Sequence, residues 1–318
     1  MVYLENFRFP SIGSEETELQ RFVTSRENKA LKGERNYGVD FYMRSVYPFG
    51  LMSGIGLHSL DFEPITILYG GNGSGKSTAL NIISNKLQIP RTAPYNTTKW
   101  MKEYLRLCKY KTDLSWTGEE YDMTGKKQGK YNISEISKMI TSDDIFKYML
   151  EKRCQTEQKI FKSQALVSQF INYTPPQKMN FDTGEGVDEY IEYNKVRKLS
   201  ASKFLEEKIG KIEDGFSNGE TALMYLFEQI AERGLYILDE PENSMSCEYQ
   251  MKLAEYLSLV AMGGSQLIIA THSPFLLSIP NAKIYNLDAA PATLSKWNEL
   301  ENMKHYFNLF EKHRDEFL

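Results

Sequence analysis

The chain has 318 residues, 41% of them hydrophobic, which is enough to bury a large core in one domain or in a domain carrying a lobe. Lys plus Arg number 38 against 42 Asp plus Glu, a net charge of −4 that excludes a broad electrostatic pull toward nucleic acid or an anionic membrane. Only a local basic groove is left for DNA. Cys108, Cys154 and Cys247 are an odd, scattered set that excludes a disulfide framework and a cysteine zinc site. No apolar run approaches the ~20 residues that span a bilayer, and MVYLENFRFP has neither the basic start nor the apolar core of a signal peptide. The expectation is a soluble, cytoplasmic protein with no membrane insertion.

In chain order, residues 1–69 read as strand-rich: VYLENFRF, VDFYMRSVYPF and LHSLDF are apolar or aromatic runs, and 24–38 reads as a polar loop. PITILY is a short β-branched run that predicts a buried strand. GGNGSGKS follows, and then STALNIISNKL, in which Leu80, Ile83 and Leu87 recur at helical spacing. Gly70-x-x-x-x-Gly75-Lys76-Ser77 is the P-loop pattern, whose glycines let backbone N–H groups crowd around phosphate oxygens. The helix N-terminus adds orphan N–H groups and its positive dipole end. Gly70, Asn72, Gly73, Ser74, Gly75, Lys76, Ser77 and Thr78 are therefore the candidate phosphate cradle. Lys76 is placed to reach the β- and γ-phosphates and Ser77 to ligate Mg²⁺. A dinucleotide fingerprint is excluded, because Lys76 stands where its third glycine would be.

Pro90 and Pro94 break the pattern, and residues 91–134 are polar and Tyr-rich. TTKWMKEYLRLCKY predicts a helix, and TDLSWTGEEYDMTGKKQGKYN an aperiodic exposed loop. ISKMI reads as a short strand, and TSDDIFKYMLEKR as a helix whose start is marked by Ser and two acids. Residues 155–200 carry weak helical periodicity, broken by YTPPQ and DTGEG. Then SNGETALMYLFEQIAERG sets Leu223, Leu226, Phe227 and Ile230 on one helix face. LYILDE, SQLIIATHSP and AKIYNLD read as strands, YQMKLAEYLSLVAM and LENMKHYFNLFEKHRDEFL as helices. Alternation of this kind predicts a doubly wound, largely parallel sheet. The expected organisation is a core built from 1–90 and 205–318, with 91–204 as an inserted, mainly helical lobe.

An acid at the C-terminal end of a strand is what a second Mg²⁺-contacting position beside a P-loop requires, and Asp239 fills it. Glu240, one residue on, points elsewhere and is placed to accept a proton from an attacking water. His272 follows the next buried strand, where it can hydrogen-bond a γ-phosphate and orient water. FSNGE contains Ser217-x-x-Glu220, a capping box, and also sets a glycine at a second anion-binding helix end. One chain rarely folds two such ends onto one nucleotide; two chains can.

In this order the elements resemble the ABC-class ATPases: Walker A GGNGSGKS, signature FSNGE, Walker B LYILDE, D-loop NSMS and the switch histidine of ATHSP. The resemblance covers roughly residues 60–90 and 205–290. LDEPENSMS and IIATHSPFLL resemble the soluble SMC/RecF-like and overcoming-lysogenization-defect branch. The whole chain resembles stand-alone bacterial AAA family ATPases through YPFG, LDFEPITILYGGNGSGKST, ITSDDIFKYML and DEFL. Asn218 and Glu220 depart from the Gly and Gln of many relatives. Between Ser77 and Ser217 the chain is too short for long coiled-coil arms, which implies a compact lobe.

The resemblance implies an α/β P-loop head with an N-terminal antiparallel β portion, using ATP and Mg²⁺ and forming a homodimer around two nucleotides. Ser217, Asn218, Gly219 and Glu220 would then reach the ATP of the other copy, with Lys76, Glu240 and His272 completing catalysis and Ser77 and Asp239 holding the metal. It also implies a protein partner, a nuclease or another effector, in DNA maintenance or antiviral defence. The alternatives are the ATP-binding subunit of a membrane transporter, which EPEN and THSP argue against, and a non-hydrolysing scaffold, which Glu240 argues against. For the glutamine loop of the class, Gln164, Gln169 and Gln177 match by type. The strand-to-helix turn SKMITSDD instead points to Asp143, as a metal-dependent sensor or as a helix cap. Tyr47 and Phe49 are candidates for adenine stacking or for the core.

Overall fold

ITILY and QLIIAT are apolar at nearly every position, so only a sheet interior buried on both faces satisfies them. The computed structural model describes residues 2–24, 46–94, 96–112, 119–121, 127–129, 133–135, 137–172, 187–210, 217–230 and 233–317. Its strands are β1 (Leu4–Arg8), β2 (Ser59–Asp61), β3 (Ile65–Tyr69), β4 (Lys109–Thr112), β5 (Glu119–Tyr121), β6 (Lys127–Gly129), β7 (Ser137–Thr141), β8 (Leu235–Asp239), β9 (Gln266–Thr271), β10 (Lys283–Asn286) and β11 (Thr293–Ser295). The main sheet runs β11-β10-β3-β9-β8-β7 and is parallel except for β11 at its edge. All five residues of β3 and all six of β9 are buried. The helices Lys76–Leu87 and Cys247–Met262 pack against this sheet. An antiparallel sheet, β2-β1-β4, supplies the expected N-terminal β portion.

One side chain staples the two sheets. Gln266 opens β9 and is fully buried. Its Oε1 accepts from the Tyr3 and Leu4 N–H groups, both at 2.8 Å, and its Nε2 donates to the Leu4 carbonyl at 2.9 Å. Each of these backbone groups would cost about 1–3 kcal/mol if left buried and unpaired.

The chain divides into two compact units, Met1–Ile145 with Leu223–Leu318, and Phe146–Ala222. The first holds both sheets. The second contains the greater part of the helix Ser142–Ile171, the helices Val187–Arg197 and Ala201–Ile209, and the start of Asn218–Gln229. Within it, Phe170 packs on Phe204 at 5.2 Å between ring centroids. Of the segment 91–204, residues 91–145 cluster with the core unit and 146–204 with the second.

Three local expectations are corrected. Ile12–Thr24 is a helix inside the region read as strands. Its pattern was obscured because a buried position is occupied by Glu15, whose Oε2 accepts from the Gly50 N–H at 2.9 Å and Ser53 Oγ at 2.8 Å. β5 and β6 form a hairpin within the stretch read as loop, and strands of three residues are too short to display alternation. Phe227 lies outside the buried face of its helix, 41% exposed, and packs on Tyr256 with ring centroids 4.3 Å apart.

Candidate functional site

The glycines of the loop after β3 are required for different reasons. Gly73 and Gly75 have φ of 85° and 95°, the left-handed region that L side chains rarely adopt. Gly70 is buried, and a Cβ there would lie 2.7 Å from Ser74 Cβ and 3.1 Å from Asp288 Oδ1. Asn72 is exposed at the loop tip, and Thr78 lies in the first turn of the helix Lys76–Leu87. Lys76 is buried, and its ammonium donates to the Gly70 and Gly71 carbonyls at 2.6 and 3.0 Å.

Parallel register gathers the remaining groups. Tyr69 of β3 pairs with Thr271 of β9, and Ala270 of β9 with Asp239 of β8, so the C-terminal ends of three strands sit side by side. Ser77 Oγ, in the first turn of the P-loop helix, donates to Asp239 Oδ1 at 3.0 Å. Burial pushes the Asp239 carboxyl up to about 6; the Ser77 bond and the Arg91 and Lys76 charges oppose the rise, and Glu240 adds to it. A carboxylate so desolvated is stabilised by a cation. Glu240 adopts φ of 48° and directs Oε1 to 3.7 Å from both Lys76 Nζ and His272 Nδ1. His272 is about half exposed, which leaves its ring open to a ligand. Lys76, Ser77, Asp239, Glu240 and His272 thus meet at one sheet edge.

Three further residues at this edge were not singled out as site residues from the sequence. Asn243 Nδ2 donates to Glu240 Oε2 at 3.1 Å, which fixes one carboxylate oxygen and leaves the other toward Lys76 and His272. Asp288, just after β10, accepts the Gly71 N–H on both oxygens at 2.9 and 3.1 Å and so orients the start of the loop. Glu242 is buried and bonded to Thr271. Asp288 was detectable in principle, as an acid at the C-terminal end of a strand read as parallel.

At the turn after β7, the two acids divide. Asp144 is buried and accepts from Thr141 N–H at 2.9 Å, Thr141 Oγ1 at 2.8 Å and Ala93 N–H at 2.7 Å. Asp143 is 81% exposed, 3.9 Å from the Arg91 guanidinium. We expect Asp144→Ala to lower stability by about 2–4 kcal/mol, since it leaves buried donors unpaired. Asp143→Asn should leave the melting temperature unchanged, and urea unfolding of both variants checks the division. Gln164 and Gln169 lie on the helix Ser142–Ile171; Gln177 falls outside the described residues.

Phe49 is a core residue, 5% exposed and edge-on to Tyr104 at 5.1 Å, which removes it from adenine stacking. The Tyr47 hydroxyl accepts from Asn81 Nδ2 at 3.0 Å.

In the second unit, Ser217 is exposed and its Oγ accepts the Glu220 N–H at 3.2 Å, the bond of an N-cap. Arg153 donates to Asn218 Oδ1, Gly219 is buried, and Glu220 is half-buried. Phe216 lies outside the described residues.

The residues at the sheet edge fit ATP and Mg²⁺. The loop has the glycine conformations and the buried lysine of a phosphate cradle. Ser77 and Asp239 offer the two oxygen donors that suit an ion keeping several waters and substrate oxygens.

A family model described as "ABC transporter" matches residues 58–243, and one described as "AAA domain, putative AbiEii toxin, Type IV TA system" matches residues 214–278. Among solved structures, the chain is similar to the Smc head domain with an extended coiled coil, bound to the C-terminal domain of ScpA, from Pyrococcus furiosus. That match is 12% identical, covers 80% of this chain and 95% of the other, and has a TM-score of 0.40. It is also similar to a metal-chelate type ABC transporter in an inward-facing conformation, at 15% identity, 76% of each chain and a TM-score of 0.33. A comparison with curated proteins finds no match. Among the described residues no helix is long and apolar enough to cross a membrane. With the first family model spanning more than half of its length, the chain belongs to the ABC-class P-loop ATPases and is an ATP-binding protein of that class.

Proposed function

We propose that the chain hydrolyses ATP, closes as a homodimer around two ATP·Mg²⁺, and acts through that cycle as a switch on a protein partner. The observation that carries this reading is Glu240 Oε1, held 3.7 Å from both Lys76 and His272 beside the Ser77–Asp239 pair. Lys76 leaves the Gly70 and Gly71 carbonyls for the β- and γ-phosphate oxygens. Gly73, Ser74, Gly75, Lys76, Ser77 and Thr78 surround the phosphates with N–H groups, and Gly70 and Asn72 shape the entry. Ser77 and Asp239 would hold Mg²⁺, which neutralises phosphate charge when bound. Glu240, with Oε2 fixed by Asn243, accepts the proton of the attacking water on Oε1. His272 hydrogen-bonds the γ-phosphate and orients that water.

Ser217, Asn218, Gly219 and Glu220 close over the γ-phosphate of the partner copy, and Asp143 engages only when Mg²⁺ is present. The resemblance of LDEPENSMS and IIATHSPFLL to the SMC/RecF/OLD-like branch supports a place in DNA maintenance or antiviral defence, beside a nuclease or other effector. Phosphate release by the purified chain, with and without Mg²⁺ and with Asp143→Asn, tests the chemistry. Metal-dependent turnover that Asp143→Asn weakens supports the whole reading; bound ATP with no turnover leaves a scaffold in its place. Affinity capture from the native cell identifies the partner.

A further inference from the structure

β8 and β9 each run into a turn that carries one candidate reacting group, Glu240 on the first and His272 on the second. Loop residues keep a fixed mutual geometry only where a supporting bond locks them. The Glu240 N–H donates to the Ala270 carbonyl at 2.9 Å, and a side-chain bond that joins the same two segments is made by Glu242. Its Oε1 accepts from Thr271 Oγ1, the residue immediately before His272. Thr271 Oγ1 in turn accepts the Ser273 N–H at 2.9 Å, so a single hydroxyl grips both sides of the histidine. Beyond it, Ser273 Oγ donates to Gln250 Oε1 at 2.7 Å, which ties the turn to the helix Cys247–Met262.

Glu242, Thr271 and Ser273 are all buried, whereas His272 between the last two is about half exposed. Glu242 Oε2 is buried with no hydrogen-bond partner among the described residues. A carboxyl in such a place costs stability that an apolar side chain would not. Packing alone therefore does not account for Glu242. Burial also pushes its carboxyl above the usual range, opposed by the Thr271 bond, by the residue's own backbone N–H and by His272, with Glu240 adding to the rise.

We propose that Glu242 is a positioning residue which, through Thr271, holds the His272 turn against Glu240, so that its effect on turnover passes through His272. This rests on the reading of Glu240 and His272 as parts of an ATPase site.

The test compares Glu242→Leu, Glu242→Gln, Thr271→Val, Thr271→Ser and His272→Ala in the full chain. Glu242→Leu is expected to lower kcat by about 10- to 100-fold, the scale of a small misplacement, with KM for ATP within about twofold. Glu242→Gln, which keeps an acceptor at Oε1, brings kcat back to within a few-fold of the parent. Thr271→Val behaves as Glu242→Leu, and Thr271→Ser as Glu242→Gln. In a His272→Ala background, Glu242→Leu adds no further loss. The overturning result is a fully additive loss in that background, or a Glu242→Leu chain as active as the parent.

If Glu242→Leu does not fold, the Thr271 pair carries the same comparison. A second readout needs no turnover: the His272 ring signals in ¹H–¹⁵N NMR, from a chain with 4 histidines, shift in Glu242→Leu and Thr271→Val but not in Glu242→Gln. Unmoved signals overturn the positioning role. Shifted signals in a parent without ATPase activity overturn the ATPase reading and leave the positioning intact.

Discussion

Glu240→Gln keeps ATP and stops turning it over. The amide is nearly isosteric with the carboxylate and can still accept from Asn243; the Lys76 ion pair with Glu240 is lost, but the Lys76 bonds to the loop carbonyls and the Ser77–Asp239 bond are kept. What is lost is the group that takes the water proton, and removal of a general base costs ~10²–10⁴ in rate. Since the closed dimer would reopen only after hydrolysis, the variant accumulates as a dimer in ATP·Mg²⁺. Size-exclusion chromatography with light scattering reads this directly, together with a count of bound nucleotide. A strictly monomeric variant carrying bound ATP overturns the two-chain site.

Ser217→Arg should abolish turnover without weakening ATP binding to the single chain. The position is exposed and its only described side-chain bond is the cap to Glu220, so the fold loses about 1 kcal/mol and survives. An arginine there blocks the approach of a helix N-terminus to a phosphate on another copy. Mixed with Lys76→Ala, which has an intact signature but no cradle lysine, each heterodimer regains one complete site. Random pairing in a symmetric dimer then restores about one quarter of the sites. Heterodimers that are demonstrably formed and remain silent overturn action in trans.

The phosphate loop was legible because its requirements are stereochemical and local: φ at Gly73 and Gly75, and no room for a Cβ at Gly70, leave glycine as the residue that fits. That Asp239, Glu240 and His272 lie together was legible because a parallel sheet delivers the ends of successive strands to one edge. What stayed hidden depends on bonds between residues far apart in sequence. Asp288 meets Gly71 across 217 positions, and nothing near either residue announces the other. Glu242 lay inside a motif already assigned to its neighbours, and its role depends on Thr271, 29 positions on. Glu15 hid a helix in the same way, since a buried carboxylate accepting two hydrogen bonds breaks the apolar periodicity that marks a helix.

The Gln266 staple has a consequence for how the protein is made. β3, which ends in the phosphate loop, has β9 and β10 as its two neighbours, and the Gln266–Tyr3 bond spans 263 positions. During translation, therefore, neither partner of the loop's own strand exists until residue 266 has been added; β1 has β2 and β4 beside it by residue 112, but its bonds to Gln266 wait for the same event. The phosphate loop is synthesised long before either of the strands that flank β3. Contacts of such long range fold slowly, and an unpaired apolar strand such as ITILY is an aggregation hazard until they form. A nascent chain halted before Gln266 would leave that strand without either flank, a state suited to a chaperone rather than to ATP.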